Sequence, residues 1–313
     1  MNELPKELRN EICNYLKDID SINLLTTHKN ANPVRYVMKK YMPLNKYDEW
    51  RNKTRIELII RKCIIEEYID YQRLNLYKIT HLIFGNNFNQ RVDNLPDSIT
   101  HIEFGWHFNQ MVDNLPDSTI YLKFGVYFNQ SVENLSKTLK DLTFGYFFNQ
   151  PVNNLPNSIT HLRFGWTFNQ QIDNLPGSIT HLKFEGIFNQ SVDKLPNSIN
   201  HLNFGWYFNQ TVDNLPDSIT HLEFGFNLHQ YIENLPDSIV SLTFYLDFDS
   251  HVPRIKKLPK SIEIVSIKGI GIKSKDYSNI FKDYKIKCHE VSSNLIQFTI
   301  ENIDAKGKGL SNG

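Results

Sequence analysis

Residues 155–174 read LPNSITHLRFGWTFNQQIDN, and this stretch decides the fold because close variants of it follow one another at a fixed distance. The triplet Phe-Asn-Gln recurs every 20 residues, and Asn-Leu-Pro recurs in the same phase with variants in two units. Eight units occupy residues 80–239, and a degenerate ninth occupies residues 240–262. A short repeat in strict phase predicts a solenoid. The triplet begins at Phe88, Phe108, Phe128, Phe148, Phe168, Phe188 and Phe208, and a degraded form begins at Leu228.

Each unit contains the alternation of a short strand. Leu162 and Phe164 are predicted to face one side, and His161 and Arg163 the other. A unit of 20 residues leaves no room for a long helix, so each strand is expected to lie parallel to the next, about 4.8 Å away. One unit cannot bury its own apolar residues, and stability is therefore expected to come from contacts between neighbouring units.

An asparagine follows the core phenylalanine of each Phe-Asn-Gln triplet. A polar side chain at this place in every unit predicts a ladder in which the amides satisfy backbone groups that stacking would otherwise leave unpaired. We interpret the row as structural. Its members are Asn109, Asn129, Asn149, Asn169 and Asn189.

Composition excludes several functions. Lys plus Arg and Asp plus Glu each total 34, so the surplus positive charge of a non-specific nucleic-acid binder is missing. No apolar stretch approaches the ~20 residues of a membrane span, and the charged N-terminus does not resemble a secretory signal. The 3 cysteines are too few and too scattered for a disulfide framework. We expect no nucleic-acid or membrane partner, no cofactor, and a cytoplasmic or nuclear location.

The repeat resembles the FNIP repeat, a leucine-rich-repeat-like unit known from social amoebae and their large DNA viruses. This resemblance covers about half of the chain. It implies a mainly β repeat solenoid with leucine-rich-repeat-like parallel strands and, for a viral protein, a location in the host cytoplasm. The matching residues are Phe168, Asn169, Gln170, Ile172, Leu175, Pro176, Ser178, Ile179, His181, Leu182 and Phe184.

The N-terminal segment, residues 1–45, spaces apolar residues by three and four, as on one face of a helix. It resembles an F-box, although the tryptophan usual after the second helix of that motif is missing. The resemblance implies docking on a Skp-type adaptor of a cullin-RING ubiquitin ligase. The alternative is that this segment only caps the solenoid. The residues expected to bind the adaptor are Leu4, Pro5, Leu8, Ile12, Leu16 and Leu24.

Three further segments lie outside the repeats. Residues 46–79 are interpreted as a helical or mixed linker and N-terminal cap. Residues 263–304 are interpreted as a C-terminal cap with strands at 263–267 and 295–300 and a short helix between them. Residues 305–313, rich in Gly, Lys, Ser and Asn, are expected to form a disordered tail.

The outward strand face is the candidate target-binding surface. One of its positions is histidine in most units, whereas the second varies in charge and size from unit to unit. An aromatic row beside it either forms an interface or packs on the adjacent turns; the sequence leaves both open. The candidate target-binding residues are His101, Glu103, Lys123, Arg163, Lys183, His201, Asn203, Glu223, Trp166 and Trp206.

We predict neither a metal site nor catalysis. No carboxylate or thiolate completes a tetrahedral set with the histidine row, and no nucleophile and base stand out from the repeat. The predicted function is therefore a protein–protein interaction adaptor that recruits an unknown protein target to a ubiquitin ligase. The alternative is a stand-alone binding scaffold whose N-terminus only caps the solenoid.

Overall fold

The structure is a computed structural model that describes residues 36–38, 42–43, 58–60, 62–65, 79–246, 255, 257–269, 286–292 and 295–300. Within these ranges the chain forms strands and turns, and no helix is long and apolar enough to cross a membrane. A sheet of 14 strands runs the length of the molecule, and β1 and β3 form a separate pair.

The strands are short through the repeats and longer at the C-terminal end. The first eight are β1 (Tyr36–Met38), β2 (Met42–Pro43), β3 (Leu58–Ile60), β4 (Lys62–Ile65), β5 (His81–Phe84), β6 (His101–Glu103), β7 (Tyr121–Lys123) and β8 (Asp141–Thr143). The last eight are β9 (His161–Phe164), β10 (His181–Phe184), β11 (His201–Asn203), β12 (His221–Phe224), β13 (Ser241–Leu246), β14 (Ile264–Gly269), β15 (Ile286–Ser292) and β16 (Leu295–Ile300).

Strands β4 to β14 are all parallel and lie in chain order, one per turn of the solenoid. Equivalent residues pair across neighbouring turns, as His161 does with His181 and Leu162 with Leu182. The predicted fold class, a mainly β solenoid with a 20-residue period, is confirmed. Strand β16 pairs antiparallel with β14, and β15 continues the sheet beyond it.

The boundaries of the array differ from those expected. The helical or mixed linker predicted for residues 46–79 contains strands β3 and β4 where it is described, and β4 pairs with β5 as one more turn. At the other end, β14 pairs parallel with β13, so the array continues past residue 262. The predicted strands at 263–267 and 295–300 correspond to β14 and β16. The predicted N-terminal helices, the short C-terminal helix and the tail lie outside the described residues.

Two columns of phenylalanine rings fill the core. Phe164 and Phe168 are fully buried and stack with their ring centroids 3.7 Å apart. Each ring also stacks on its counterpart in the preceding turn, with 5.5 Å between the centroids of Phe144 and Phe164. Burying a phenylalanine contributes on the order of 1.5–3 kcal/mol. The two columns thus join every turn to both of its neighbours.

A glycine that follows the strand in most of the repeats allows the turns to approach. A Cβ atom built on Gly165 would overlap the carbonyl oxygen of Gly145 in the preceding turn. The same overlap arises at Gly125 and Gly145. A side chain at this position would force the turns apart and lengthen the bonds between strands.

The asparagine row forms a ladder between turns. Asn149 Oδ1 accepts a hydrogen bond of 2.9 Å from the backbone N–H of Asn169 and one of 3.2 Å from Gln170 Nε2. The amide oxygen thus satisfies a backbone donor that the strand ladder does not reach. Leaving such a donor unpaired would cost about 1–3 kcal/mol. The same N–H to Oδ1 bond is made to Asn89, Asn109, Asn129, Asn169, Asn189 and Asn209.

One unit reverses two residues of the repeat. Most units place an apolar residue and then a small polar one before the strand, whereas residues 119 and 120 are Thr and Ile. Thr119 is fully buried and its hydroxyl oxygen has no hydrogen-bond partner, while the side chain of Ile120 is 38% exposed. The residues equivalent to Thr119 in the neighbouring turns, Ile99 and Leu139, are fully buried. The reversal leaves a polar atom in the core and an apolar one on the surface.

We expect Thr119→Ile to raise the free energy of unfolding by about 1–3 kcal/mol, because it removes an unsatisfied hydroxyl and extends the apolar row of Ile99 and Leu139. Urea denaturation followed by circular dichroism measures this change. Ile120→Thr, on the surface of the same turn, is the control and should change stability by less than about 0.5 kcal/mol. A lower denaturation midpoint for Thr119→Ile would show that the site cannot accommodate the larger side chain.

Candidate functional site

The exposed face of the parallel sheet carries two side chains from each turn. In β9, Leu162 and Phe164 are buried, and His161 and Arg163 are exposed. Successive residues of a strand point to opposite faces, so His161 and Arg163 share one face. The parallel register then places each of them beside its counterpart in the next turn. The face therefore consists of a histidine column and, two residues further along each strand, a variable column.

The variable column changes charge from turn to turn. Lys123 Nζ lies 3.2 Å from Glu103 Oε2 on the neighbouring strand, and Asn203 Nδ2 donates a hydrogen bond of 2.6 Å to Glu223 Oε2. These contacts connect adjacent turns on the surface. Exposed ion pairs contribute only about 0–1 kcal/mol each. The column therefore adds chemical variety to the face and little stability.

Two cations share one carboxylate in the middle of this column. Glu185 Oε1 lies 3.3 Å from Arg163 Nε and 3.9 Å from Lys183 Nζ. Partial burial, and then the charge of Arg163, lower the pKa of Lys183 below its ordinary value, while Glu185 and Glu223 oppose the shift. Burial and Arg163 thus outweigh the two carboxylates in their effect on the pKa of Lys183.

The histidine column forms a stack over four turns. The centroids of neighbouring rings lie 4.2 Å apart for His161 and His181, 4.3 Å for His181 and His201, and 4.2 Å for His201 and His221. His81 and His101 stack in the same way at 4.0 Å. Tyr121 and Asp141 separate the two stacks.

A hydrogen bond at each ring sets the tautomer. Thr180 Oγ1 donates its hydrogen to the carbonyl of Thr160 at 3.1 Å and lies 2.9 Å from His181 Nδ1. Because its hydrogen is already used, this hydroxyl accepts from Nδ1–H, which leaves Nε2 as an unprotonated acceptor. His201 Nδ1 likewise donates to Asn200 Oδ1 at 2.6 Å. The arrangement at Thr180 recurs for His101, His161 and His221.

The stack favours neutral rings. Burial, and then the neighbouring rings of His161 and His221, lower the pKa of His181 below its ordinary value, and Asp141 opposes the shift. Burial and then His221, His181 and His161 lower the pKa of His201. Two like charges in adjacent stacked rings would repel each other. At neutral pH the rings of His181 and His201 therefore present hydrogen-bond acceptors on this face.

This geometry does not suit a metal ion. The parallel rings direct their Nε2 lone pairs side by side, whereas a zinc site needs ligands that converge tetrahedrally. Within the described residues, no three His, Cys, Asp or Glu side chains are grouped so that they could hold a metal.

Aromatic side chains border the strand face in the turns that follow each strand. Trp106 is 57% exposed and Trp206 is 49% exposed, while Trp166 is half-buried and stacks on Tyr146 at 6.0 Å. Of the two readings that the sequence left open, packing on neighbouring turns is observed. The rings also expose large surfaces, and their role in an interface stays a prediction. Exposed aromatic residues of this kind are favoured anchors at interfaces.

A second aromatic column lies one residue further along the chain, and sequence analysis missed it. His107, Tyr127 and Phe147 stack in succession, with centroids 5.1 and 5.2 Å apart. Tyr127 is 46% exposed and Phe147 is 42% exposed. The signal was present, because each of these residues immediately precedes the Phe of a Phe-Asn-Gln triplet.

The structure brings half of the proposed target-binding residues together. Five of them line a shallow hollow of about 380 Å³ over strands β9–β12. His101, Glu103 and Lys123 lie farther along the same face on β6 and β7, and Trp166 and Trp206 lie in the turns after β9 and β11. The six proposed adaptor-binding residues lie outside the described residues. The five in the hollow are Arg163, Lys183, His201, Asn203 and Glu223.

We expect acidification from about pH 7 to about pH 5 to lower the melting temperature. The pKa of His181 and of His201 is lowered in the folded chain, so the unfolded chain binds more protons. The stabilising contribution is present above the unfolded-state pKa of about 6.5 and is lost as the pH falls through the folded-state pKa. Differential scanning fluorimetry across this range measures the loss.

The variant His181→Gln/His201→Gln should show a smaller drop in melting temperature between the two pH values. His229→Gln, an exposed change outside the stack, serves as the control and should keep the drop of the parent protein. An identical pH dependence in the double variant and the parent would mean that the stack does not control acid stability.

Comparison with known proteins agrees with this architecture. A solved protein that is similar is CroV588, whose crystal structure is described as a novel circular LRR protein structure. The superposition has a TM-score of 0.58 with 31% sequence identity, and it covers 79% of this chain and 49% of CroV588. The chain thus spans about half the length of that relative. No curated protein matches the sequence.

The FNIP Repeat family matches six stretches of the chain, at residues 78–105, 91–126, 108–147, 148–186, 188–227 and 211–247. These matches together cover more than half of the 313 residues. They coincide with the parallel turns from β5 to β13. Repeat solenoids of this kind typically serve as non-enzymatic binding scaffolds. The chain therefore belongs to the FNIP repeat family.

Proposed function

We propose that this protein is a protein-binding scaffold that holds a partner on the exposed face of strands β9–β12. The observation that carries the proposal is the variable column, in which chemically different side chains occupy equivalent positions on a backbone that hardly changes. Core positions of the same turns keep Leu and Phe at each strand. Variation confined to the exposed face favours recognition over structural support.

The chemistry of this face suits a protein surface. The histidine stack offers unprotonated Nε2 acceptors, and Arg163, Lys183 and Glu223 add charges of both signs. Aromatic rings of large exposed area lie along its border. A polar face next to exposed aromatic anchors matches the composition of protein interfaces. We propose binding and not catalysis for this face. It offers groups that recognise a partner, and it carries no paired nucleophile and base.

Photo-crosslinking in a social-amoeba lysate tests the scaffold proposal. We expect Asn203→p-benzoylphenylalanine, at a residue that lines the hollow, to give a discrete covalent adduct with a protein. The same change at Asn157, an exposed turn residue away from the strand face, is the matched control and should give no such adduct. Arg163→Glu/Lys183→Glu in the Asn203 background should reduce the adduct severalfold.

Equal labelling at both positions would contradict a specific face, as would no adduct at Asn203. Circular dichroism of each variant separates lost binding from lost folding. Because Arg163 and Lys183 are exposed or half-buried, the charge reversal is not expected to unfold the sheet.

A second, more specific function follows from the F-box resemblance of the N-terminal segment. In this proposal the F-box docks on a Skp-type adaptor, and the solenoid presents its bound protein for ubiquitylation. The support is the helical spacing of Leu4, Leu8 and Ile12, together with a binding solenoid behind them. A binding scaffold is the part that a substrate receptor adds to a ligase.

A pulldown with a purified Skp-type adaptor tests the ligase proposal. We expect the intact protein to be retained and Leu8→Asp/Ile12→Asp to lose at least tenfold in retention, because charges would replace two apolar docking residues. The double variant should keep the circular dichroism spectrum of the parent. If the intact protein is not retained, the N-terminal segment is no adaptor-binding motif, and the stand-alone scaffold remains.

A further inference from the structure

Between Tyr146 and Phe226, one turn breaks the aromatic row beside the strand face. After β9 and β11 the chain reads Gly165-Trp166 and Gly205-Trp206, whereas after β10 it reads Glu185-Gly186. A Cβ atom on Gly186 would overlap the carbonyl oxygen of Trp166. Gly186 therefore takes over the close approach between turns, and this turn contributes no ring to the row.

The missing ring changes the packing of its neighbours. In adjacent turns, Tyr146 and Trp166 stack in parallel, with an angle of 1° between their planes. Trp166 and Trp206 belong to turns two apart, yet their ring centroids lie 5.3 Å apart at an angle of 59°. The two indoles lean toward each other across the position that Gly186 leaves without a side chain.

A pocket of about 260 Å³ lies beside this turn and is lined by its Glu185 and by both indoles; we call it the Gly186 pocket after the neighbouring glycine. Aromatic side chains form one part of its wall, and polar ends of the strand face form another. Its volume suits one side chain of aromatic size. The residues used below are Trp166, Trp206, Lys183, Glu185 and Asn203. The pocket adjoins the hollow over β9–β12, because Lys183 and Asn203 line both.

The charges around the pocket favour an anionic neighbour. Arg163 and Lys183 share the single carboxylate of Glu185. Glu223 is already engaged by Asn203 Nδ2 at 2.6 Å and by Lys268 Nζ at 4.0 Å. A guanidinium or ammonium group entering beside Lys183 would meet like charge, whereas a carboxylate would pair with it.

We propose that the Gly186 pocket binds an aromatic side chain of a protein partner, and that an acidic residue next to this anchor pairs with Lys183 and Arg163. The inserted ring packs in this pocket against Trp166 and Trp206, whose indoles already contact each other across Gly186. The inference rests on the proposed scaffold function and adds the chemistry of its partner: an exposed segment with an aromatic and an acidic residue side by side. Such rings gain from offset or edge-to-face contact with both indoles.

Fluorine NMR with 5-fluorotryptophan tests the pocket directly, because the chain has only 4 tryptophans. Single Trp→Phe variants assign the signals. The probe is the dipeptide N-acetyl-Asp-Phe-amide, titrated into the full-length protein at millimolar concentration. We expect the Trp166 and Trp206 signals to shift together and to saturate, while Trp106, an exposed tryptophan four turns from the break in the row, stays in place.

Two changes of probe separate the ring from the charge. N-acetyl-Asp-Ala-amide should give no saturable shift, because it lacks the ring. N-acetyl-Lys-Phe-amide should bind about threefold more weakly than the aspartyl dipeptide, and Lys183→Gln should remove most of this difference. Tighter binding of the lysyl dipeptide than of the aspartyl dipeptide would overturn the acidic part of the proposal. It would indicate a cationic residue beside the aromatic anchor.

The matched variant Glu185→Gly/Gly186→Tyr rebuilds the Gly-aromatic pair found at Gly145 and Tyr146. The new ring would separate the indoles of Trp166 and Trp206, which form part of the pocket wall. We expect the variant to fold, because the glycine introduced at position 185 would then supply the close approach between turns, and to lose the response of both signals. A response that survives in this variant, or equal shifts at Trp106, would overturn the proposal. So would no shift of Trp166 and Trp206.

The outcomes distinguish this inference from the scaffold function. Crosslinking at Asn203 with no fluorine response to the dipeptide would leave the scaffold standing and remove the aromatic anchor. A dipeptide response without any adduct would keep the pocket as a binding site and remove the protein-scaffold function.

Discussion

Successive turns of this solenoid lie so close together that the backbone of one turn limits which residue can stand in the next. At Gly165 a single Cβ atom would strike the carbonyl of Gly145, and the constraint repeats along the array. Because the turns lie this close and in register, each side chain packs against the equivalent side chain of the neighbouring turn. The phenylalanine columns, the asparagine ladder and the histidine stack all follow from this close approach, since each is one residue type repeated at the spacing of the turns.

The same spacing distributes the energetic roles among the columns. Apolar columns supply the burial that no single turn could provide, and the asparagine column satisfies backbone donors that the strands do not reach. The histidine column contributes in another way, because a threonine, or Asn200 in the case of His201, holds each ring in one tautomer and one orientation. A binding face of this kind is preorganised, so little side-chain freedom remains to be lost when a partner docks.

Departures from the repeat are the informative positions in an array this regular. The reversal at Thr119 and Ile120 leaves a buried hydroxyl without a partner, and nothing in the structure connects it with binding. The exchange at Glu185 and Gly186 lies in a different setting, because Glu185 lines a pocket where the charged and aromatic parts of the surface meet. Both changes conserve length, and therefore neither disturbs the register of the strands.

The sequence by itself determined the solenoid, the 20-residue period, the inward positions of Leu162 and Phe164 and the outward positions of His161 and Arg163, because strand alternation and repeat phase are local properties. It could not locate the ends of the array, since β4 and β14 lack the repeat pattern and join the sheet only through pairing. Only the tertiary structure decided that the rings of Trp166 and Trp206 meet, because that contact depends on how two turns pack across a third.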